Sequence, residues 1–211
     1  MSLVTSNFEK VKKEINYDVN IIAVSKSFNY DHVEPLIKFG HKHFGENKVQ
    51  EALSKWSFIK NSKTDIKLHM IGKLQSNKAR EAVKLFDYIH SLDNLKLAQT
   101  LSKSENLLNL KRKYFIQVNI GEEKQKSGVF KQQLNFFYNH CVVDLNLNVI
   151  GLMCIPPVDK NPSLYFKETM QLNRTLGLKD LSMGMSADFK EALKYNSTFV
   201  RIGSAIFGKR S

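Results

Sequence analysis

"IKLHMIGKLQSNKAREAVKLFDYIHSLD", residues 66–93, joins two short apolar runs through a polar loop and a helical pattern. Within it, Ala79, Ala82, Val83 and Phe86 recur at intervals of three and four residues, which lays one apolar face along a helix. Two strands joined by a helix rather than a tight turn are parallel neighbours, because a parallel pair needs a long crossover. The unit recurs in both directions. Upstream lie "NIIAVSK" and "KHFGEN"; downstream lie "YFIQVNI", "LNVIGLM", "KDLSMG" and "TFVRIG". Helical patterns fall between them, as in "DHVEPLIKFG", where Val33, Leu36 and Ile37 share a face and Gly40 is placed to stop the helix.

Eight such strands alternating with helices in 211 residues predict an α/β fold, one closed (β/α)8 barrel that takes residues 1–211 as a single domain. A doubly wound open sheet is the alternative, but its glycine-rich "GxGxxG" turn after the first strand is absent. An extra helix over about residues 5–16 is expected before the first strand. No Pro/Gly-rich linker or low-complexity tract divides the chain.

The composition, 42% hydrophobic and 25% charged, is that of a folded chain. A net charge of +12 raises the question of nucleic acid. The excess is scattered lysine rather than a concentrated stripe, and "KRKY" at 111–114 runs into an apolar strand, so nucleic-acid binding is disfavoured. Cys141 and Cys154 have neither the number of a disulfide scaffold nor metal-ligand spacing. The N-terminal "MSLVTSNFEKVKKEI" lacks the apolar segment of a signal peptide, and no run approaches the roughly 20 apolar residues of a membrane span. The expectation is a monomeric cytoplasmic protein without membrane association.

In a (β/α)8 barrel, functional groups gather at the C-terminal ends of the strands. There "NIIAVSK" ends on Lys26, a charge at the edge of a buried run, and "KHFGEN" on Glu46 and Asn47. "SMGMSAD" and "RIGSAIFG" follow the seventh and eighth strands and set Gly184, Ser186, Gly203 and Ser204 where backbone N–H groups and hydroxyls can surround a phosphate. Tight turns alone would use the same residue types. The first strand closes beside the eighth, so the Lys26 amine would stand next to that phosphate. An amine so placed suits an aldehyde-bearing phosphate ester held as a Schiff base, with burial and nearby cations favouring the neutral, nucleophilic amine. Pyridoxal 5′-phosphate (PLP) fits that demand. His69 and His90 read as separate, hydrogen-bonded core residues, Glu46 as an orienting carboxylate, and Lys126 of "KQKSG" as a solvated loop lysine.

Here the chain resembles the pyridoxal phosphate homeostasis (YggS/PROSC) family. The resemblance runs from Ile21 to Arg210 through "AVSK", "HFGENKVQEA", "HMIGKLQSNKAR", "SLDNLKLAQTL", "QVNIGEEKQKSGV", "GLMCIPP", "LSMGMSADF" and "VRIGSAIFG", in that order. It implies a barrel similar to the N-terminal domain of bacterial alanine racemases. It also implies that Lys26 forms the Schiff base, that Ser186, Gly203 and Ser204 hold the phosphate, that Arg201 faces the pyridine nitrogen, and that Asn47 lies near the ring. Members look like regulators of vitamin B6 and amino-acid pools without an established turnover reaction. PLP-dependent apo-enzymes are the implied acceptors, and a slow PLP-dependent side reaction on amino acids is the alternative. Racemase activity is disfavoured, because alanine racemases bring a second acid/base from a β-rich domain for which this chain has no room. The sequence departs from the family at Asn196, where glycine is common, at Lys73, a variable position, and in a brief segment after "GLMCIPP" that is expected to shorten the helix there.

Overall fold

The computed structural model describes residues 2–15, 18–62 and 65–208, side chains of 61 and 62 excepted. Among them, eight strands form one closed parallel barrel in sequential order: β1 (Asn20–Val24), β2 (His43–Glu46), β3 (Lys67–Met70), β4 (Tyr88–Leu92), β5 (Lys113–Val118), β6 (Asn148–Cys154), β7 (Asp180–Met185) and β8 (Phe199–Ile202). Closure is made by β1, which pairs with β2 through Ala23 and Phe44 and with β8 through Ile22 and Arg201.

The helices are α1 (Leu3–Lys13), α2 (Tyr30–Lys38), α3 (Val49–Ser62), α4 (Ala79–Leu85), α5 (Leu95–Leu108), α6 (Leu134–Asn139), α7 (Pro162–Thr175), α8 (Phe189–Leu193) and α9 (Ser204–Phe207). Local chemistry starts and stops them. Asn29, Asn94 and Asn161 cap α2, α5 and α7 by accepting backbone N–H groups, and Gly40 at φ +93° follows the end of α2. Ala79, Ala82 and Val83 of α4 are buried against the barrel, as their spacing requires.

Two expectations are corrected. The helix before the barrel is Leu3–Lys13 rather than 5–16, set by the Ser2 cap; residue 16 lies outside the described residues. The helix after "GLMCIPP" is α7, with 14 residues, and Pro162 stands in its first turn. His69 and His90 are not separate: adjacent strands bring their rings within hydrogen-bond distance. Asn196 takes φ +60°, a conformation asparagine tolerates better than most residues.

Apolar packing occurs in two places. The larger core fills the space between strands and helices. The second fills the barrel lumen with Ile22, Tyr88, Phe115, Met153 and Phe199. Phe115 and Phe199 belong to strands that are not neighbours, yet their rings meet edge-on at 5.3 Å, which is possible only across the lumen. The barrel is plugged by rings below, so a ligand can enter only at the C-terminal rim.

Candidate functional site

Lys26 lies two residues beyond the end of β1, half-buried, in a turn that continues through Ser27 at φ +67°. The residue before it is anchored from below. Ser25 is fully buried and donates its hydroxyl to Glu46 Oε1 at 2.7 Å, while Lys55 Nζ donates to both Ser25 O and Glu46 Oε1. Trp56 Nε1 donates to the same carboxylate oxygen at 2.9 Å. Glu46 is thus an orienting group, as expected, and it fixes the β1 and β2 rims together.

Asn47 follows Glu46. Gly72 packs against its backbone so closely that a Cβ on Gly72 would lie 2.3 Å from Asn47 O. On the opposite rim, β7 and β8 slip register between Ser182 and Met185, where Gly184 takes φ +92°, and the slip presents Ser186 toward β8. The Gly203 N–H donates to Ser186 Oγ at 3.3 Å, joining the two loops. Gly203 leads into α9, the short extra helix after the eighth strand. The first N–H groups of a helix have no partner within it and face whatever lies beyond that end. Two outside contacts steady α9: Asn7 Nδ2 donates to Ile206 O at 3.2 Å, and a ring nitrogen of His32 contacts Phe207 O at 3.1 Å.

Arg201 is 4% exposed and forms the site's floor. Its Nη1 donates to Ser182 O and Ser182 Oγ, each at 2.7 Å, and Nη2 donates to Cys154 O at 2.9 Å. No described carboxylate lies within ion-pair distance of it. Burial lowers its pKa from the ordinary arginine value, and the Cys154 thiol beneath is pushed up to about 11 by its own burial.

All six expected residues, Lys26, Asn47, Ser186, Arg201, Gly203 and Ser204, line one cavity of about 520 Å³. That volume lies within the roughly 300–1,000 Å³ of small-molecule sites. Phe28, Ile71, Ile155 and Met185 add larger apolar side chains to its walls. These four carry no chemical signature in the sequence; only their places just beyond strand ends could have indicated them. Asn47, Ile71 and Ile155 also border a cavity of about 340 Å³ that reaches Lys73 and Lys126, the latter paired with Glu123. A larger cavity, about 710 Å³, lies behind Ser186 between α1, α7 and α8. It is a groove crossed by the exposed Lys190–Glu14 pair, with no buried cation in its lining, and the chemistry concentrates at the barrel mouth instead.

Residues 2–211 match the family described as alanine racemase, N-terminal domain. Pyridoxal phosphate homeostasis proteins of Synechocystis and of Aquifex aeolicus are each 36% identical to the chain, covering 91% and 90% of it and 92% and 86% of their own lengths. The chain belongs to this family. Among solved members, PipY of Synechococcus elongatus with PLP bound superposes with a TM-score of 0.89 at 31% identity, covering 97% of this chain and 100% of PipY. An alanine racemase of Clostridium difficile, at 15% identity and a TM-score of 0.76, shares the fold over 98% of this chain and 56% of its own. Seven of the eight motifs quoted from the sequence, all but "SLDNLKLAQTL", contribute lining residues to the two cavities at the barrel mouth.

Proposed function

We propose that the chain is a PLP-binding protein of intracellular vitamin B6 homeostasis, holding the cofactor reversibly on Lys26. The observation that carries this reading is the convergence on one cavity of a lysine, a hydroxyl-and-N–H cradle at the seventh and eighth strands, and a buried arginine without a carboxylate partner among the described residues. This donor set fits the cofactor. When bound, PLP supplies an aldehyde that a lysine amine can capture as an imine with release of water. Lys26 provides the amine. Ser186, Gly203 and Ser204 would cradle the phosphate, Asn47 would flank the ring, and Arg201 would set the charge beside the ring nitrogen.

The homeostasis proteins named above and the PLP-bound PipY support the assignment by kinship. A cation beside the ring nitrogen disfavours its protonation and makes the ring a weak electron sink, so carriage rather than turnover suits Arg201. We place the activity in a single domain of residues 1–211, monomeric and cytoplasmic, with PLP-dependent apo-enzymes as acceptors. Among the described residues no helix is long and apolar enough to cross a membrane.

Borohydride reduction of the PLP-loaded protein followed by peptide mapping tests the site. The label is expected on Lys26, and Lys26→Ala is expected to abolish the visible imine band; a label on another lysine overturns the assignment. Incubation with L-alanine is expected to give no appreciable D-alanine, and rapid racemisation would replace the carrier reading with an enzymatic one.

A further inference from the structure

Beneath the site, the barrel lumen holds an unbroken line of hydrogen bonds. Arg201 Nη1 meets Ser182 Oγ at 2.7 Å; Ser182 Oγ meets His90 Nδ1 at 2.9 Å; His90 Nε2 meets His69 Nδ1 at 2.9 Å; His69 Nε2 meets His43 Nδ1 at 2.9 Å. The line begins at the cavity floor on β8, crosses to β7, β4 and β3, and ends at the first residue of β2, at the opposite end of the barrel. Ser182, His69 and His90 are buried, and His43 is half-buried. Stacked rings fix the imidazole planes: Tyr88 on His69 at 4.3 Å and Phe115 on His90 at 4.3 Å.

The direction of this line follows from its first link. A guanidinium can only donate, so Ser182 Oγ accepts from Arg201. If His90 Nδ1 also donated to Ser182, the hydroxyl proton would be left in a dry core without an acceptor, a costly arrangement. Ser182 therefore donates to His90 Nδ1. Neutral His90 then carries its proton on Nε2 and donates to His69 Nδ1, and His69 in turn donates from Nε2 to His43 Nδ1. Every link points its lone pair toward Arg201 and its proton away.

We propose that Ser182, His90, His69 and His43 form a directed dipole chain that stabilises the buried Arg201 guanidinium in its charged form without neutralising it. An aspartate at the position of Ser182 would stabilise the cation equally well but cancel its field at the cavity. Aligned neutral dipoles stabilise the charge and leave its outer face available to a ligand. Asp188, a carboxylate whose charge acts on Arg201, accepts from the Met185 N–H instead. The chain also explains why three imidazoles in series stay neutral: each Nδ1 already accepts a hydrogen bond, so no lone pair is open to a proton. Burial lowers the pKa values of all three, in the same direction. The charged groups that act on the outer end are Lys67, Asp87, Lys113 and Lys42 on His43, and Lys60 on His69. The consequence for PLP rests on the proposed role of Arg201, whereas the direction of the chain does not.

The test is imidazole tautomer assignment by two-bond 1H–15N correlation on full-length protein labelled with 15N-histidine, with and without PLP, at neutral pH. His43, His69 and His90 are each expected as the Nε2–H tautomer. In Ser182→Ala and in Arg201→Gln, which remove the orienting donor in two different ways, His90 is expected to lose its single tautomer, with the change relayed to His69. Ser182→Ala is also expected to weaken PLP binding roughly five- to tenfold. His43→Gln, at the outer end, is expected to leave the His69 and His90 tautomers unchanged. An Nδ1–H proton on His90 in the unaltered protein, or tautomers indifferent to both inner substitutions, overturns the proposal. Correct tautomers in a protein that takes up no PLP would leave the chain standing and remove the cofactor assignment.

Discussion

The Gly203 N–H rests on the Ser186 hydroxyl at 3.3 Å, and this contact makes one cradle out of two loops that leave the barrel on different strands. The Ser186 hydroxyl and the start of α9 come from different loops, and the contact brings them together. The β7–β8 register slip provides the meeting, and α9 gains its rigidity from Asn7 and His32, residues far away in sequence.

Ser186→Ala removes the hydroxyl from that cradle. PLP affinity is expected to fall about tenfold, the scale of one charge-assisted hydrogen bond. Borohydride labelling of Lys26 should still proceed at saturating cofactor. Equilibrium titration of the visible band measures the first effect and peptide mapping the second.

Glu46→Gln is expected to cost about 3–5 kcal/mol of stability. The carboxylate is fully buried, and the Lys55 side chain paired with it at 2.8 Å is only 9% exposed, so removing one charge leaves the other nearly dry. Because Glu46 Oε1 also holds Ser25, the Lys26 turn should loosen as well. Urea denaturation reads the stability, and the rate of imine formation reads the turn.

Gly72→Ala places a methyl group 2.3 Å from Asn47 O, a clash with backbone rather than with a yielding side chain. About 1–3 kcal/mol of destabilisation is expected from overpacking. Weaker PLP binding should accompany it, because Asn47 must shift within the cavity wall. Thermal denaturation with and without the cofactor separates the two effects.

Acid should unfold this protein earlier than its carboxylates alone would. Burial lowers His41, His43, His69 and His90, with His41 falling from 6.5 to about 4. A histidine kept neutral in the folded state binds its proton more readily when unfolded. Stability is therefore fully present above pH 6.5 and is lost as pH falls toward the folded-state values. The His41 shift alone amounts to about 3 kcal/mol when fully expressed. Denaturant midpoints should stay level from pH 7.5 to about 6.5 and fall from there to pH 4.5; a flat profile down to pH 5 contradicts this account.

Much of the molecule was legible in the chain because its strands are short, apolar and separated by helices of clear period. The eight runs read from sequence are the eight strands, and the six expected site residues line one cavity because they sit at or just past strand ends, where a barrel gathers them. What escaped is of a different kind. Phe28, Ile71, Ile155 and Met185 are ordinary apolar residues, and only position makes them cavity walls. His69 and His90 looked like unrelated core residues because periodicity tells which face a side chain occupies, not which residue of another strand lies opposite.

Sequence by itself determined the alternation of strand and helix, hence a parallel sheet, and it supplied the lysine, the two Gly-Ser loops and the arginine that mark a phosphate-ester site. Both follow from local preferences that act within about ten residues. Tertiary structure alone decided that Arg201 would have no carboxylate within ion-pair distance among the described residues, and that Ser182 would stand between it and a line of histidines. Those facts depend on strand register around a closed ring, where a shift of one residue turns every side chain to the other face. Barrel closure therefore sets the electrostatics beneath the cavity, joining residues as distant in sequence as His43 and Arg201.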